Sequence, residues 1–367
     1  MSNWYMIDNI DQLDTPALVV YSDRVKENIR ILKKFVPDVS RLRPHVKTNK
    51  CAEVCRLMRD EGIYKFKCAT IAEAEMLASI GAPDVLLAYQ PVGPKVIRLI
   101  ELIGKFPSTK FSCLIDNLQS ATDLSDQASK KNLQIQVYID LNIGMNRTGI
   151  LPDKAFDLFT ECRNLKGIDI IGLHAYDGHL RDTDLETRRE KCNDGFRAVE
   201  VLKKEIEKST TKSMVVVAGG TPTFPIHAQR PAVECSPGTF IFWDKGYQEL
   251  LAEQPFLFAA LVVTRIISRP ADDVITVDLG HKSIASESPI TNRVYFLNAP
   301  DVQPVGHSEE HLVLKSTSGT FQVGDVLYGV PHHICPTVSL YETLAIVENK
   351  KVTSNWNVVS RKRKISV

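Results

Sequence analysis

The sequence predicts an α/β fold, a (β/α)8 barrel followed by a β-domain, and three observations carry that prediction. Between residues 17 and 235, β-rich runs alternate with amphipathic helical runs, the order that builds a parallel sheet covered by helices. No GxGxxG turn follows the first strand, so a doubly wound open sheet lacks its main signature. After Trp243 the texture changes to short apolar segments separated by turn residues such as Gly319 and Gly324.

In order, the predicted barrel strands are residues 17–21, 42–47, 65–69, 84–89, 110–115, 134–141, 168–176 and 214–218, with a short candidate at 232–235. The first helix, 22–36, is predicted from Val25, Ile29, Leu32 and Val36 at three- to four-residue spacing, with Ser22 placed to cap its first turn. Residues 70–80, 95–103 and 185–207 follow the same period. The β-domain strands are predicted at 258–267, 274–277, 293–297, 312–315, 326–330, 344–347 and 356–359. These elements divide the chain into a barrel at 14–245 and a β-domain at 246–367, which residues 1–13 join. No internal repeat or low-complexity linker separates them.

Composition narrows the function classes. A net charge of +1, from 45 basic and 44 acidic residues, offers no field for nucleic acid or an anionic membrane. The densest apolar run, 256–263, is too short to span a bilayer, and residues 1–13 carry Asp8 and Asp11 where a signal peptide needs an apolar core. Eight cysteines without a CxxC pair predict reduced thiols and a cytoplasmic location. Cys51 and Cys55, four apart, read as packing on a helix face. The basic run 361–364 reads as a solvated strand edge.

Chemistry concentrates first in residues 41–50. Alternation along a strand puts Arg43, His45 and Lys47 on one side and Leu42, Pro44 and Val46 on the other. Repulsion from Arg41, Arg43 and Lys50 would press Lys47 toward a neutral amine able to attack an aldehyde; the alternative is an exposed basic strand end. Polar clusters close other strands, at Asp140 to Gly149, with Arg147, and at His174, Tyr176, Asp177 and His179. Gly219-Gly220-Thr221-Pro222-Thr223 and Ser236-Pro237-Gly238-Thr239 are glycine-hydroxyl turns at barrel ends 7 and 8, where this fold often holds phosphate. A reactive lysine, a phosphate cradle and an arginine in one mouth point to pyridoxal 5'-phosphate. In an extended chain His333 and Cys335 face the same way, as a pair of zinc ligands or as packed side chains. Residues 307–311 form a second polar knot, functional or a solvated loop.

Six segments occur in order: Asp14-Thr-Pro-Ala17, Arg43-Pro-His-Val-Lys47-Thr48, Lys67 to Glu75, Gly144-Met-Asn-Arg147-Thr-Gly149, Ser308-Glu-Glu-His311 and His333-Ile-Cys335-Pro-Thr337. Together they resemble the D-threonine aldolase and D-serine dehydratase branch of the alanine-racemase-like, fold type III PLP enzymes, over residues 14–341. The resemblance implies a PLP barrel of alanine-racemase type, a closing β-domain and a homodimer. It makes Lys47 the Schiff-base lysine and His179 a base candidate. Arg147 lies near the cofactor's phenolic oxygen, Tyr176 contacts its ring, and His45 joins the cofactor site. Gly220, Thr221, Gly238 and Thr239 match phosphate turns, and His333 with Cys335 matches a divalent-metal pair for zinc or manganese.

The implied substrate is a β-hydroxy-D-amino acid. Aldol cleavage of threonine gives glycine and acetaldehyde; dehydration of serine gives pyruvate and ammonia. Residues 66–75 and 86–91 look more like the aldolases, whereas the His-x-Cys pair is associated with zinc-dependent dehydratases. The longer match favours the aldolase. An amino-acid racemase would need a second base such as Tyr328 or Tyr341 and no metal. A non-catalytic PLP carrier would have little use for the β-domain.

Overall fold

A computed structural model describes residues 3–316 and 320–367, so Gly319 lies outside the described residues. The chain forms two compact units. One comprises Met1–Ile31, Thr48–Val54 and Thr239–Arg361, and the other Leu32–Lys47, Cys55–Gly238 and Lys362–Val367.

The strands in chain order are β1 (Ala17–Tyr21), β2 (Lys65–Cys68), β3 (Asp84–Leu87), β4 (Lys110–Ile115), β5 (Ile135–Leu141), β6 (Ile168–Ala175), β7 (Val215–Ala218) and β8 (Val233–Cys235). They continue with β9 (Ala260–Ala271), β10 (Val274–Val277), β11 (Val294–Phe296), β12 (Gln303–His307), β13 (Leu312–Lys315), β14 (Val326–Pro331), β15 (Thr343–Glu348) and β16 (Lys351–Asn357). The α-helices are α1 (Ser22–Phe35), α2 (Ala52–Asp60), α3 (Ile71–Ser79), α4 (Pro94–Lys105), α5 (Leu118–Ser129), α6 (Pro152–Cys162), α7 (Leu185–Ser209), α8 (Phe224–His227), α9 (Lys245–Leu250) and α10 (Ile334–Leu340).

In the barrel unit β2 to β8 lie side by side in sequence order, all parallel. Residues 42–46 complete the ring. Leu42 bridges to Cys235 of β8, and His45 bridges to Lys67 of β2. The predicted strand at 42–47 is therefore a stave held by isolated bridges. Pro44 cannot donate to a ladder, although its carbonyl accepts the Lys67 N–H at 2.9 Å. Leu86, Leu114, Tyr138 and Val217 pack together as one core cluster of this unit. Helix starts follow local chemistry: Thr70 caps α3 by accepting the Glu73 N–H, while the Glu73 carboxylate accepts the Ala69 N–H.

The other unit is a sheet in the order β12-β13-β10-β9-β1-β15-β16, with β14 bridging β9 to β11. Its core takes every second residue of the central strands: Val19 and Tyr21, Leu261 and Val263, Tyr328 and Val330, Ala345 and Val347. The expectation that 17–21 is the first barrel strand is corrected here. β1 pairs antiparallel with β9 and parallel with β15. An apolar run of five residues carries no mark of which sheet it will join. The last strand starts earlier than the predicted 356–359, and β12 and α10 form where the pattern predicts no element, because Pro304, Gly306 and Pro336 mask them. No helix among the described residues is long and apolar enough to cross a membrane.

Candidate active site

Within the barrel unit, Tyr176 follows β6 and its ring lies against Gly178 and Gly220. A Cβ would stand 2.2 Å from the ring at Gly178 and 2.8 Å at Gly220, so both positions exclude a side chain. Three cations converge on this ring: the Arg147 guanidinium at 5.1 Å, the Lys67 amine at 5.6 Å and the Lys47 amine at 6.0 Å from its centroid. Among the described residues, no carboxylate ion-pairs with any of the three. His45 accepts the Lys47 backbone N–H on Nδ1 at 3.2 Å, which orients the backbone at Lys47.

The charge environment expected for Lys47 differs from the one observed. Arg41 spends its guanidinium on the carbonyls of Ala228, Arg230 and Val233. Arg43 is buried in ion pairs with Asp84 and Glu234, each at 2.6 Å. The like-charge neighbour in this unit is Lys67. Burial first, and then the charge of Lys47, push the Lys67 amine down to about 7, beyond what Asp140 and Asp177 restore.

Arg147 is presented by the loop after β5. The Asn142 side-chain oxygen accepts the N–H groups of Gly144 and Asn146, and Gly149, at φ +98°, brings the chain back beside Asn142. A Cβ at Gly149 would stand 2.6 Å from the Asn142 nitrogen. Below the loop, His174 donates Nδ1–H to Asp140 at 2.7 Å and offers Nε2 to Lys67 at 3.4 Å. Burial and then Lys67 lower the His174 pKa; Asp140 is lowered too, because the bonds from His174, Thr148 and Gln90 outweigh its burial. Exposed His179 lies against Gly144, where a Cβ would stand 2.7 Å from its Nε2.

At the end of β7, Gly219 takes φ +74° and the Thr221 hydroxyl accepts the Gly238 N–H at 3.3 Å. The buried Ser236 N–H is shared by the carbonyls of Ala218 and Gly219, and its hydroxyl has no partner among the described residues. Behind this turn, Asp177 accepts from Thr223 at 2.6 Å, His227 Nε2 at 2.8 Å and Cys192 at 3.5 Å. Asp177, Cys192 and His227 are close enough to enclose an ion. The hydrogen bonds argue otherwise: Arg230 donates to His227 Nδ1 at 3.1 Å, which leaves Nε2 as the donor to Asp177 and not as a free lone pair for a metal. The group is a hydrogen-bond lock on the Gly219–Thr223 turn.

In the β-unit, His333 stands at the N-cap position of α10 without a side-chain cap bond and Cys335 lies in the first turn, which corrects the extended geometry expected for the pair. They remain within hydrogen-bond reach. Burial would lower the His333 pKa, but Cys335, Glu287 and Asp244 raise it to about 9. Glu287 holds Nδ1, which leaves Nε2 as the ligand nitrogen, the usual arrangement behind a metal-binding imidazole. The Cys335 sulfur lies 3.1 Å from the Thr48 hydroxyl and 3.7 Å from that of buried Thr239. Asp244, pushed up to about 6 by burial, accepts the Tyr247 and Ile334 N–H groups.

Three side chains of the knot at 307–311 are engaged within the β-unit. His307 is engaged on both nitrogens, by Arg293 and the Leu279 carbonyl, and Glu309 and Glu310 pair with exposed Lys282. The Tyr328 hydroxyl accepts the Ile7 N–H and Tyr341 donates to the Ser283 carbonyl, so neither hydroxyl stands ready as a second base. Lys67, His174 and Asp140 join the site although the sequence motifs assign them no role. The signal was present: His174 and Tyr176 fall two apart and so share a strand face.

Compared with known proteins, residues 20–245 match the alanine racemase N-terminal domain, and residues 259–347 match a putative serine dehydratase domain. The chain is 26% identical to a D-threonine aldolase from an Arthrobacter species, over 96% of this chain and 94% of that protein. It is 24% identical to a D-threo-3-hydroxyaspartate dehydratase from Delftia sp. (strain HT23), over 90% of this chain and 93% of that protein. The crystal structure of D-threonine aldolase from Filomicrobium marinum superposes with a TM-score of 0.88 at 25% identity, covering 95% of each chain.

Proposed function

We propose, on the premise that this chain belongs to the alanine racemase N-terminal domain family, that it is a PLP-dependent lyase of β-hydroxy-D-amino acids, with D-threonine aldol cleavage as its reaction. The observation that carries the reading is the convergence of Lys47, Lys67 and Arg147 on Tyr176, next to a glycine turn. The residues fit the cofactor. Its ring needs a flat wall, which Tyr176 supplies, and its anionic groups need cations and N–H donors. The unpartnered Ser236 hydroxyl and the Gly219–Thr223 turn suit a phosphate.

When bound, pyridoxal phosphate supplies an aldehyde for an amine and a ring that delocalises charge left at Cα. A divalent metal supplies Lewis acidity toward the β-hydroxyl, and His333 Nε2 with Cys335 would hold it, the imidazole oriented by Glu287. Lys47 offers the amine. Arg147 sets a fixed positive charge beside the ring. His179, exposed and seated on Gly144, would take the proton of the substrate hydroxyl directly or through water. The lock of Asp177, His227 and Thr223 holds the phosphate turn in one shape.

The aldolase reading is supported by the 26% and 25% identities to two D-threonine aldolases, each over nearly the full chain. Cys335 favours a second reading, a zinc-dependent dehydratase acting on D-serine or a related β-hydroxy-D-amino acid. Purified protein with PLP and either zinc or manganese is offered D-threonine and D-serine separately. Acetaldehyde from the first supports the aldolase, pyruvate from the second the dehydratase, and neither product refutes both. Lys47→Ala is expected to abolish the visible absorbance of lysine-bound cofactor. His333→Ala should keep that absorbance and lose turnover at least about 100-fold; retained turnover would remove the metal from the reaction.

A further inference from the structure

Lys67 is a buried cation to which the reaction above gives no task. It belongs to β2, is 2% exposed, and its amine has one hydrogen-bond partner among the described residues, His174 Nε2 at 3.4 Å. The other face of that imidazole is committed to Asp140. The charged and titratable groups around Lys67 are Lys47 and Arg43 from the closing stave, Asp140 from β5, Arg147 from the loop after β5, His174 from β6, and Tyr176 and Asp177 just beyond β6. None places a carboxylate in ion-pair contact with its amine. Such an ammonium gives up water without gaining a counter-ion, which is why its pKa falls to about 7. An anion at the face of Tyr176 would complete it.

We infer that Lys67 holds the ionised ring oxygen of the bound pyridine cofactor, as a second cation beside Arg147, and takes up a proton as that oxygen arrives. The inference rests on the proposed PLP site. In the ligand, the ring oxygen sits on the carbon next to the one bearing the aldehyde, so an aldehyde at Lys47 brings that oxygen among the cations around Tyr176. The phosphate, one methylene out on the opposite side, goes to the glycine turn. The free ligand carries the oxygen already ionised near neutral pH, so the proton comes from the buffer and charge balances.

The test uses pyridoxine 5'-phosphate, which lacks the aldehyde and so makes no bond to Lys47. Its binding to the cofactor-stripped protein is followed by calorimetry in two buffers of different ionisation enthalpy. The uptake that belongs to Lys67, taken as the difference between wild type and Lys67→Met so that the probe's own phosphate group cancels, should be roughly 0.9 proton per site near pH 8 and roughly 0.1 near pH 6, the fractions of a group with pKa about 7 that are deprotonated at those pH values. Lys67→Met should bind at least about tenfold more weakly and lose the uptake seen near pH 8. Lys67→Arg should recover affinity without uptake, because a guanidinium stays protonated. Inorganic phosphate, the second probe, should bind without uptake; uptake with phosphate alone would overturn the ring-oxygen assignment. Wild-type uptake that survives in Lys67→Met, or its absence in wild type, would overturn the role of Lys67. Failure of wild type to bind pyridoxine 5'-phosphate or PLP at all would instead refute the cofactor site.

Discussion

Arg43 and Lys67 both carry positive charge into the barrel unit, and their surroundings give them different work. Arg43 meets two carboxylates, and its pKa is raised because they outweigh the cost of burial. It is a structural tie. Lys67 meets an imidazole and other cations, so its charge is poorly compensated. The consequence for stability has a definite sign. The folded pKa, about 7, lies below the ordinary lysine value of 10.5, so the unfolded chain holds more protons between these limits. Stability from this residue is least below about pH 7 and rises toward pH 10. Urea unfolding of the cofactor-stripped protein at about pH 6 and about pH 9.5 should therefore show wild type gaining on Lys67→Met as pH rises. Parallel behaviour of the two would refute the perturbed lysine.

At the scale of elements, the loop between β5 and α6 carries Arg147, and its shape depends on glycine. Gly149→Ala puts a methyl against the Asn142 backbone at φ +98° and should cost about 1–3 kcal/mol and displace Arg147. The informative control is Gly104 in α4. A Cβ there meets nothing within 4 Å, so Gly104→Ala should be neutral or stabilise by about 0.4–1 kcal/mol. Equal losses in the two variants, measured by urea unfolding, would mean the loop argument is wrong. The motif Gly144-Met-Asn-Arg147-Thr-Gly149 could be read from the sequence, because positive-φ glycines and an Asn turn are local chemistry. The lock of Asp177 with Cys192 and His227 could not. Its members come from three elements, and their pairing depends on how α7 and α8 pack on the barrel.

For the whole molecule, the resemblance implies a homodimer, and light scattering on the purified protein should give about twice the chain mass of 41.1 kDa. A monomer retaining full turnover would show that no partner residue is needed. The barrel and β-domain architecture was within reach of sequence because period and turn chemistry repeat along the chain, and Lys47 stood out because it closes a short cationic motif. The sequence by itself determined the α/β class, the strand and helix succession and the residues that mark the family. Only the tertiary structure decided that residues 17–21 leave the barrel for the other sheet, that Arg41 and Arg43 are occupied elsewhere, and that buried Lys67 meets no carboxylate in ion-pair contact among the described residues. Local propensity acts between near neighbours in the chain. Burial and charge compensation depend on groups tens to hundreds of residues apart, and these become neighbours only when the chain folds.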